Sequence, residues 1–149
     1  MPSFGTKSRR ELDTCRPEIV ETLEQVVLDY DITVLEGRRS WARQQELLDQ
    51  DPPATKVKPG KSKHNPPTKG DTKWLSNAVD VAPHPIDWSD AKRFIYMAGL
   101  IIGVGRALGH NFRWGGNWDE DQIILDDQNF DDLPHIEYVG PIEDVDEDG

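Results

Sequence analysis

Cysteine and long hydrophobic runs are scarce in this sequence. Its 149 residues include one cysteine, Cys15, which alone cannot form an intramolecular disulfide or a cysteine-based zinc site. The longest apolar run, Phe94–Leu108, is interrupted by glycine and arginine and is too short to span a bilayer. Residues 1–10 lack the apolar stretch of a secretory signal peptide. We therefore expect a protein made in a reducing cytoplasm, without membrane insertion.

Positive charge is absent from the C-terminal fifth of the chain. The formal net charge is −11 overall. Residues 1–118 contain 17 Lys and Arg against 15 Asp and Glu, a net charge of +2, whereas residues 119–149 contain 13 Asp and Glu with no Lys or Arg, a net charge of −13. This balance excludes a general nucleic-acid-binding protein, which needs a basic surface.

Short periodic segments predict a single α+β domain, which also fits the length of the chain. Helical spacing predicts helices over 16–30, 40–50 and 89–108, and β-branched or alternating segments predict strands over 32–35, 78–82, 112–114 and 136–139. There is no regular β-α-β alternation, so we expect a small antiparallel sheet packed with about three helices. Residues 1–13 are expected to form a short arm, residues 1–142 the domain, and residues 143–149 a disordered acidic tail.

The segment 51–77 is a long loop rich in proline, glycine and lysine. A structureless loop of this length inside a compact domain is usually either functional or disordered. Its lysines form the basic patch of the molecule, and they are Lys56, Lys58, Lys61, Lys63, Lys69 and Lys73.

Histidine and carboxylate residues suggest a metal site, although the motifs HExxH, GxSxG, GxGxxG and the P-loop are all absent. Two histidines with one carboxylate form a hydrolytic zinc set, and a second carboxylate can act as general base. The histidines are His64, His84, His110 and His135, and the nearby carboxylates are Asp71, Asp80 and the pair Asp131-Asp132. Spacing alone leaves open the alternative of surface histidines beside a solvated acidic loop.

Three blocks of sequence resemble one family of zinc enzymes. Ser62-Lys63-His64 followed by Ala78–Val81 (AVDV) resembles the SxH…AxD signature of zinc DD-peptidases and L-alanyl-D-glutamate peptidases, which cleave peptidoglycan stem peptides and share a fold with the Hedgehog signalling domain. Asp132–Glu137 (DLPHIE) is similar to the closing motif of that family, and Glu36–Ser40 followed by Gln44 resembles its Gly-x-Arg-Ser/Thr…Gln segment. The blocks AVDVAP, RWGG and DLPH look most like those of phage endolysins.

The resemblance implies one Zn²⁺ per chain, held by His64, Asp80 and His135. The family commonly has a shorter spacing than the 15 residues that separate His64 from Asp80, and that shorter spacing would select Asp71. We favour Asp80 because its predicted strand would hold a ligand rigidly, which makes residues 65–77 an inserted loop.

The resemblance also implies roles for residues around the metal. Asp132 would be the catalytic base. Arg39 would stabilise the polarised carbonyl or bind a substrate carboxylate, work suited to a planar guanidinium. Ser62 would orient the loop of the first ligand or contact substrate. Glu137 would orient a ligand histidine, or else be a strand-surface carboxylate.

Two further assignments each have an alternative. Trp114 and Trp118 flank a Gly-Gly turn and would either line a substrate groove or lie in the core. The acidic stretch Asp119–Asp132 would either bind Ca²⁺, which takes oxygen ligands, or be a solvated loop.

The implied function is a zinc-dependent peptidoglycan peptidase of the endolysin type, cleaving the L-alanyl-D-glutamate bond of the stem peptide. The alternatives are a D-Ala-D-Ala carboxypeptidase and a non-catalytic, zinc-containing module that binds the cell wall. The expected partner is bacterial peptidoglycan, whose anionic groups the loop lysines would attract. We expect a monomer that accumulates in the host cytoplasm and reaches the wall through a separate pore protein.

Overall fold

The computed structural model describes residues 2–116 and 132–142. Within these ranges the elements are α1 (Thr6–Leu12), α2 (Pro17–Asp29), β1 (Ile32–Glu36), α3 (Trp41–Asp49), β2 (Ala78–Pro83), α4 (Ala91–Ala107), β3 (His110–Gly115) and β4 (Asp132–Pro141). The predicted α+β class is confirmed. The expected tail, residues 143–149, lies outside the described residues.

The expectation of an arm over residues 1–13 is wrong, because this segment contains helix α1. Leu12 is fully buried in the hydrophobic core. Ser8 is also buried, and its Oγ accepts a hydrogen bond of 3.1 Å from the backbone N of Val34 in β1. A helix of only seven residues has little stability of its own, so its packing against β1 stabilises it.

The four strands form an antiparallel sheet in the order β1-β2-β4-β3. Side chains alternate between the two faces of a strand, so Val79 and Val81 point to one face of β2 and Asp80 to the other. Val79, Val81 and Ile136 belong to the hydrophobic core. The polar face of the central strands is therefore left for a site.

Helices α2 and α4 supply the other half of the core. The buried apolar residues of α2 follow helical spacing, and they are Ile19, Leu23, Val26 and Val27. In α4, Gly105 allows the helix to lie close to β3, because a Cβ atom at this position would collide with the ring of Phe112. The contact explains why one of the glycines of this helix is buried.

The long loop between α3 and β2 contains no helix or strand, as predicted, but hydrogen bonds hold it in place. The backbone N of Arg39 donates to the carbonyl of His64 at 2.8 Å, and the backbone N of Asn77 donates to the carbonyl of Lys63 at 3.2 Å. Asn65 is buried, and its Nδ2 donates to the carbonyl of Arg39 at 2.8 Å. These bonds bring His64 beside the beginning of β2.

Candidate metal centre

The register of the central strands brings two predicted ligands together. Asp80 of β2 and His135 of β4 are direct cross-strand partners. Glu36 of β1 is the partner of Asp80 on the other side. Because directly opposed residues point to the same face of a sheet, these three side chains form a polar row across three strands.

The long loop adds His64 to this row, and three donor atoms converge. His64 Nε2 lies 3.1 Å from Asp80 Oδ1 and 3.3 Å from His135 Nδ1. His135 Nδ1 lies 3.3 Å from Asp80 Oδ1. Among the residues that the structure describes, these three form a group whose ligand atoms are close enough together to hold a metal ion.

Outer hydrogen bonds assign the tautomer of each histidine. His64 Nδ1 donates to the carbonyl of Gly37 at 2.7 Å, which leaves the Nε2 lone pair facing the site. His135 Nε2 donates to Glu137 Oε1 at 2.9 Å, which leaves Nδ1 as the nitrogen that faces the site. A nitrogen of each imidazole and a carboxylate oxygen then point at one another, an arrangement that can hold a metal ion.

The spacing of the donor atoms fits a tetrahedral zinc ion. Two ligand atoms about 2.0–2.1 Å from such an ion lie roughly 3.3–3.4 Å apart. The three separations here are 3.1, 3.3 and 3.3 Å. Two imidazoles and one carboxylate leave a fourth position open, as in hydrolytic zinc sites.

Local charge shifts the pKa values of the site. Burial acts to raise the pKa of Asp80, but His64 and His135 together hold it far below its ordinary value. Burial acts to lower the pKa of His135, yet its hydrogen bonds to Asp80 and Glu137 raise it to about 9. Burial and the charge of Asp80 raise the pKa of Asp132.

The donor atoms open into a cavity of about 670 Å³, called here the metal-site cavity. Residues 54–57 and 61–64 of the long loop line part of it, Ser62 among them, and so do Arg39, Asp132 and Glu137. Asp132 Oδ2 lies 3.9 Å from His135 Nδ1, and the Asp132 side chain is 34% exposed. A second carboxylate therefore lines the cavity beside the donor atoms.

Arg39 lies in the metal-site cavity, but acceptors of the chain itself surround its guanidinium. Nη1 donates to Gln44 Oε1 at 2.9 Å, and Nη2 lies 3.4 Å from Asp80 Oδ2. The guanidinium also forms an ion pair with Glu36. With its side chain 10% exposed, Arg39 is a partly buried partner of Asp80.

Ser62 and Glu137 occupy positions that support the donor atoms. Ser62 Oγ accepts a hydrogen bond of 3.1 Å from the backbone N of His64. Glu137 is buried, with one oxygen bonded to His135 and the other accepting from Arg113 Nη2 at 2.7 Å. Both residues act on a histidine through hydrogen bonds.

Of the two alternatives for Trp114, a substrate groove or the core, the structure supports the core, and Trp114 does not line the metal-site cavity. The Trp114 ring is 3% exposed within the core, and its Nε1 donates to the carbonyl of Leu133 at 2.7 Å. Trp114 shares its face of β3 with Phe112, so strand alternation turns both rings inward. Trp118 lies outside the described residues.

The other candidate ligands lie away from the donor atoms. Asp71 is exposed, and its Oδ1 accepts from the backbone N of Lys73 and Trp74 at 2.9 and 3.1 Å, as a turn residue does. His84 is exposed, and His110 pairs with Glu21 at 3.0 Å. In the proposed Ca²⁺ stretch Asp119–Asp132, only Asp132 belongs to the described residues.

Sequence reasoning assigned no role to Gly37 or Gln44, although both lie in a quoted motif. A Cβ atom at position 37 would collide with the carbonyl of Glu11 and with Thr14. Only glycine therefore allows the carbonyl of residue 37 to reach His64. Gln44 is fully buried, and besides accepting from Arg39 its Nε2 donates to the carbonyl of Val57 at 2.8 Å. A polar residue in a helix beside a Gly-x-Arg turn is the signal that could have identified Gln44.

The site is of the kind that a metal-dependent hydrolase uses: a His-Asp-His group able to hold a metal ion, open to a cavity that holds a further carboxylate. Among the described residues, no helix combines the length and the apolar character needed to cross a membrane.

Comparisons with known proteins identify the family. A sequence profile described as phage L-alanyl-D-glutamate peptidase matches residues 2–139. The chain is 30% identical over 121 residues to the L-alanyl-D-glutamate peptidase of Escherichia phage T5, covering 78% of this chain and 81% of that protein. Its fold resembles the crystal structure of the Serratia marcescens L-Ala D-Glu endopeptidase ChiX, with a TM-score of 0.67, 22% identity, and coverage of 93% of this chain and 91% of that one. The chain belongs to the phage L-alanyl-D-glutamate peptidase family, which confirms the predicted resemblance and the prediction of a peptidase.

Proposed function

We propose that this protein is a zinc-dependent peptidase that hydrolyses the L-alanyl-D-glutamate bond of peptidoglycan stem peptides. One observation carries the proposal: His64 Nε2, Asp80 Oδ1 and His135 Nδ1 converge with zinc-like spacing in an open cavity. Family membership supplies the substrate class, because the relatives are named for this bond.

His64, Asp80 and His135 would hold the zinc. When bound, zinc supplies Lewis acidity that polarises a carbonyl and lowers the pKa of water to about 7. The outer partners of the two histidines, the Gly37 carbonyl and the Glu137 carboxylate, keep both imidazoles in the ligating tautomer.

Asp132 is the proposed general base. Its carboxylate lines the metal-site cavity, and it is only partly exposed. An Asp132 oxygen would accept a proton from the attacking water and pass it to the leaving amine. Its raised pKa brings the carboxyl closer to neutral pH, which suits a group that both accepts and returns a proton.

Arg39 is proposed to act chiefly through Asp80. Its ion pairs with Asp80 and Glu36 and its hydrogen bond to Gln44 hold the guanidinium in the polar row. From there it fixes the Asp80 carboxylate and contributes positive charge beside a polarised carbonyl. Ser62 is proposed to position His64, and we propose that the protein acts as a monomer after release to the cell wall.

A digest of purified peptidoglycan tests the function. The zinc-loaded protein should release fragments with a new N-terminal D-glutamate and a free C-terminal L-alanine, as identified by mass spectrometry. Chelation should abolish the release and added Zn²⁺ should restore it. Full activity of the metal-free protein would contradict the zinc mechanism. Release of free D-alanine would indicate a carboxypeptidase, and zinc binding without cleavage would indicate a binding module.

Replacing the base separates metal binding from turnover. The variant Asp132→Asn should bind zinc as the unaltered protein does but hydrolyse roughly 100- to 10,000-fold more slowly, the usual contribution of a general base. Turnover at the unaltered rate would show that Asp132 is not the base.

A further inference from the structure

Lys63 lies next to His64, at the border of two cavities. Its carbonyl accepts hydrogen bonds from the backbone N of Asn77 at 3.2 Å and from Ser76 Oγ at 3.4 Å, which fixes the backbone from which its side chain projects. Lys63 lines the metal-site cavity and also a second cavity of about 470 Å³. Glu137 is the other residue that lines both.

The second cavity is positively charged. Its charged residues are Arg16, Lys63, Arg113 and Glu137. Arg113 is paired with Glu137 at 2.7 Å, and Arg16 is paired with Glu18 at 3.0 Å. No carboxylate of the described residues lies within 4.0 Å of the Lys63 ammonium, and Lys63 is exposed. Of these three cations, Lys63 is therefore the one whose charge the described part of the chain leaves uncompensated.

Arg39 is poorly placed to bind a carboxylate of the substrate, because residues of the protein already occupy its guanidinium. The guanidinium contacts Glu36, Gln44 and Asp80, and its side chain is 10% exposed. A carboxylate of the substrate would have to displace one of these buried contacts in order to bind Arg39. An exposed lysine beside the donor atoms does not carry that cost.

The chemistry of the bond places a carboxylate close to the metal site. In an L-alanyl-D-glutamyl peptide, the carbon that carries the scissile nitrogen also carries the α-carboxyl group of D-glutamate. When the scissile carbonyl approaches the donor atoms, this carboxylate must lie beside them. Three exposed lysines line the metal-site cavity, Lys56, Lys61 and Lys63, and of these Lys63 is the one adjacent in sequence to a metal ligand.

We propose that Lys63 binds the α-carboxylate of the D-glutamate residue and makes the enzyme specific for stem peptides in which this group is not amidated. The inference rests on the proposed function, because it assumes cleavage at the amino side of D-glutamate. An amide in place of the carboxylate is neutral and offers no charge-assisted bond to the ammonium.

Two soluble peptides and three variants test the proposal. The peptides contain the L-alanyl-D-glutamyl bond and differ only in an α-carboxylate or an α-carboxamide on D-glutamate. The variants are Lys63→Gln, Lys63→Arg and the control Lys73→Gln, an exposed loop lysine that lines neither cavity. Zinc content, measured for every protein, identifies variants with an intact metal site.

The unaltered enzyme should prefer the carboxylate peptide by roughly 10- to 100-fold in kcat/KM, the range expected for a bond to a charged group. Lys63→Gln should remove this preference by raising KM for the carboxylate peptide alone. Lys63→Arg should retain most of the preference, and Lys73→Gln should retain all of it.

Three results would overturn the proposal. Equal cleavage of both peptides by the unaltered enzyme would exclude carboxylate recognition, and this measurement does not depend on any variant folding. An equal loss on both peptides in Lys63→Gln would give Lys63 only a structural role. If the zinc-loaded enzyme cleaved neither peptide, the proposed function itself would fail together with this inference.

Discussion

The candidate metal site draws on two regions of different kinds, a sheet and a long loop. Asp80 and His135 face each other across strands β2 and β4, and the backbone ladder holds them in register. His64 comes from the 28 residues between α3 and β2, which contain no regular element. The exposed fraction of His64 is nevertheless 1%, lower than the 7% of His135.

The difference shows how an irregular segment can hold a ligand as firmly as a sheet. His64 is fixed by three contacts of its own: its ring binds the Gly37 carbonyl, its backbone N binds Ser62, and its carbonyl binds the backbone N of Arg39. Sheet ligands need fewer such contacts, because neighbouring strands already fix the backbone of each residue.

The largest effect is expected when a sheet ligand is removed. Asp80→Ala should lose stoichiometric zinc and reduce hydrolysis to background, because the site then offers only two protein ligands. Metal analysis and a peptidoglycan digest measure both effects, with circular dichroism as a check on the fold. Zinc retained at one ion per chain would show that Asp80 is not a ligand.

The outer partner of the sheet histidine should have the next largest effect. Glu137→Gln keeps an acceptor for His135 but removes the charge that supports the imidazole and pairs with Arg113. We expect zinc affinity or activity to fall by roughly 10- to 100-fold, as is typical for such partners. Zinc titration measures the affinity, and an unchanged value would mean that the loop contacts alone govern the site.

A pH titration tests the effect of the carboxylates around His135. His135 contacts the carboxylates Asp80 and Glu137, and they raise its pKa to about 9 in the absence of metal. A proton therefore occupies the ligating nitrogen at neutral pH and must leave before zinc binds. Apparent zinc affinity should rise by about tenfold per pH unit up to about pH 9. A pH-independent affinity between pH 7 and 9 would contradict this coupling.

The smallest effect is expected on the loop side of the site. Gly37→Ala tests the tight packing of Gly37, whose carbonyl accepts the hydrogen bond from the His64 ring. The new Cβ would collide with Thr14 and with the carbonyl of Glu11, and we expect a loss of about 1–3 kcal/mol in the free energy of unfolding. Zinc affinity should fall too, because the Gly37 carbonyl moves away from His64.

A matched control for this glycine lies in α4. Gly99 is exposed and has open space around its Cα, so Gly99→Ala should stabilise the helix by roughly 0.5–1 kcal/mol without changing zinc affinity. Urea denaturation compares the two variants. Equal free energies of unfolding for the two variants would show that Gly37 is not tightly packed against Glu11 and Thr14.

Local patterns predicted the sheet half of the site well. The pattern AVDV predicted the strand that carries Asp80, and the strand predicted over 136–139 begins directly after His135. Strand alternation in β3 places Trp114 beside Phe112 in the core, which is one of the two alternatives that the sequence left open.

The loop half could not be derived from local patterns. The hydrogen bond from His64 to the Gly37 carbonyl joins residues far apart in sequence and exists only in the folded chain. The contact between Arg39 and Asp80, which are 41 positions apart in sequence, has the same origin. Helix α1 was missed because a seven-residue segment gives too little periodicity, and tertiary packing decides its conformation.

The bond between the Lys63 carbonyl and the Asn77 backbone N has a consequence for the evolution of this enzyme. It closes the base of the inserted segment, and residues 67–73 beyond it are exposed. The closure entropy of a loop rises only slowly with its length, so lengthening or shortening this excursion has little energetic cost. Natural variation, or an engineer grafting a wall-targeting peptide, can therefore alter residues 67–73 while the spacing of the metal donors stays constant.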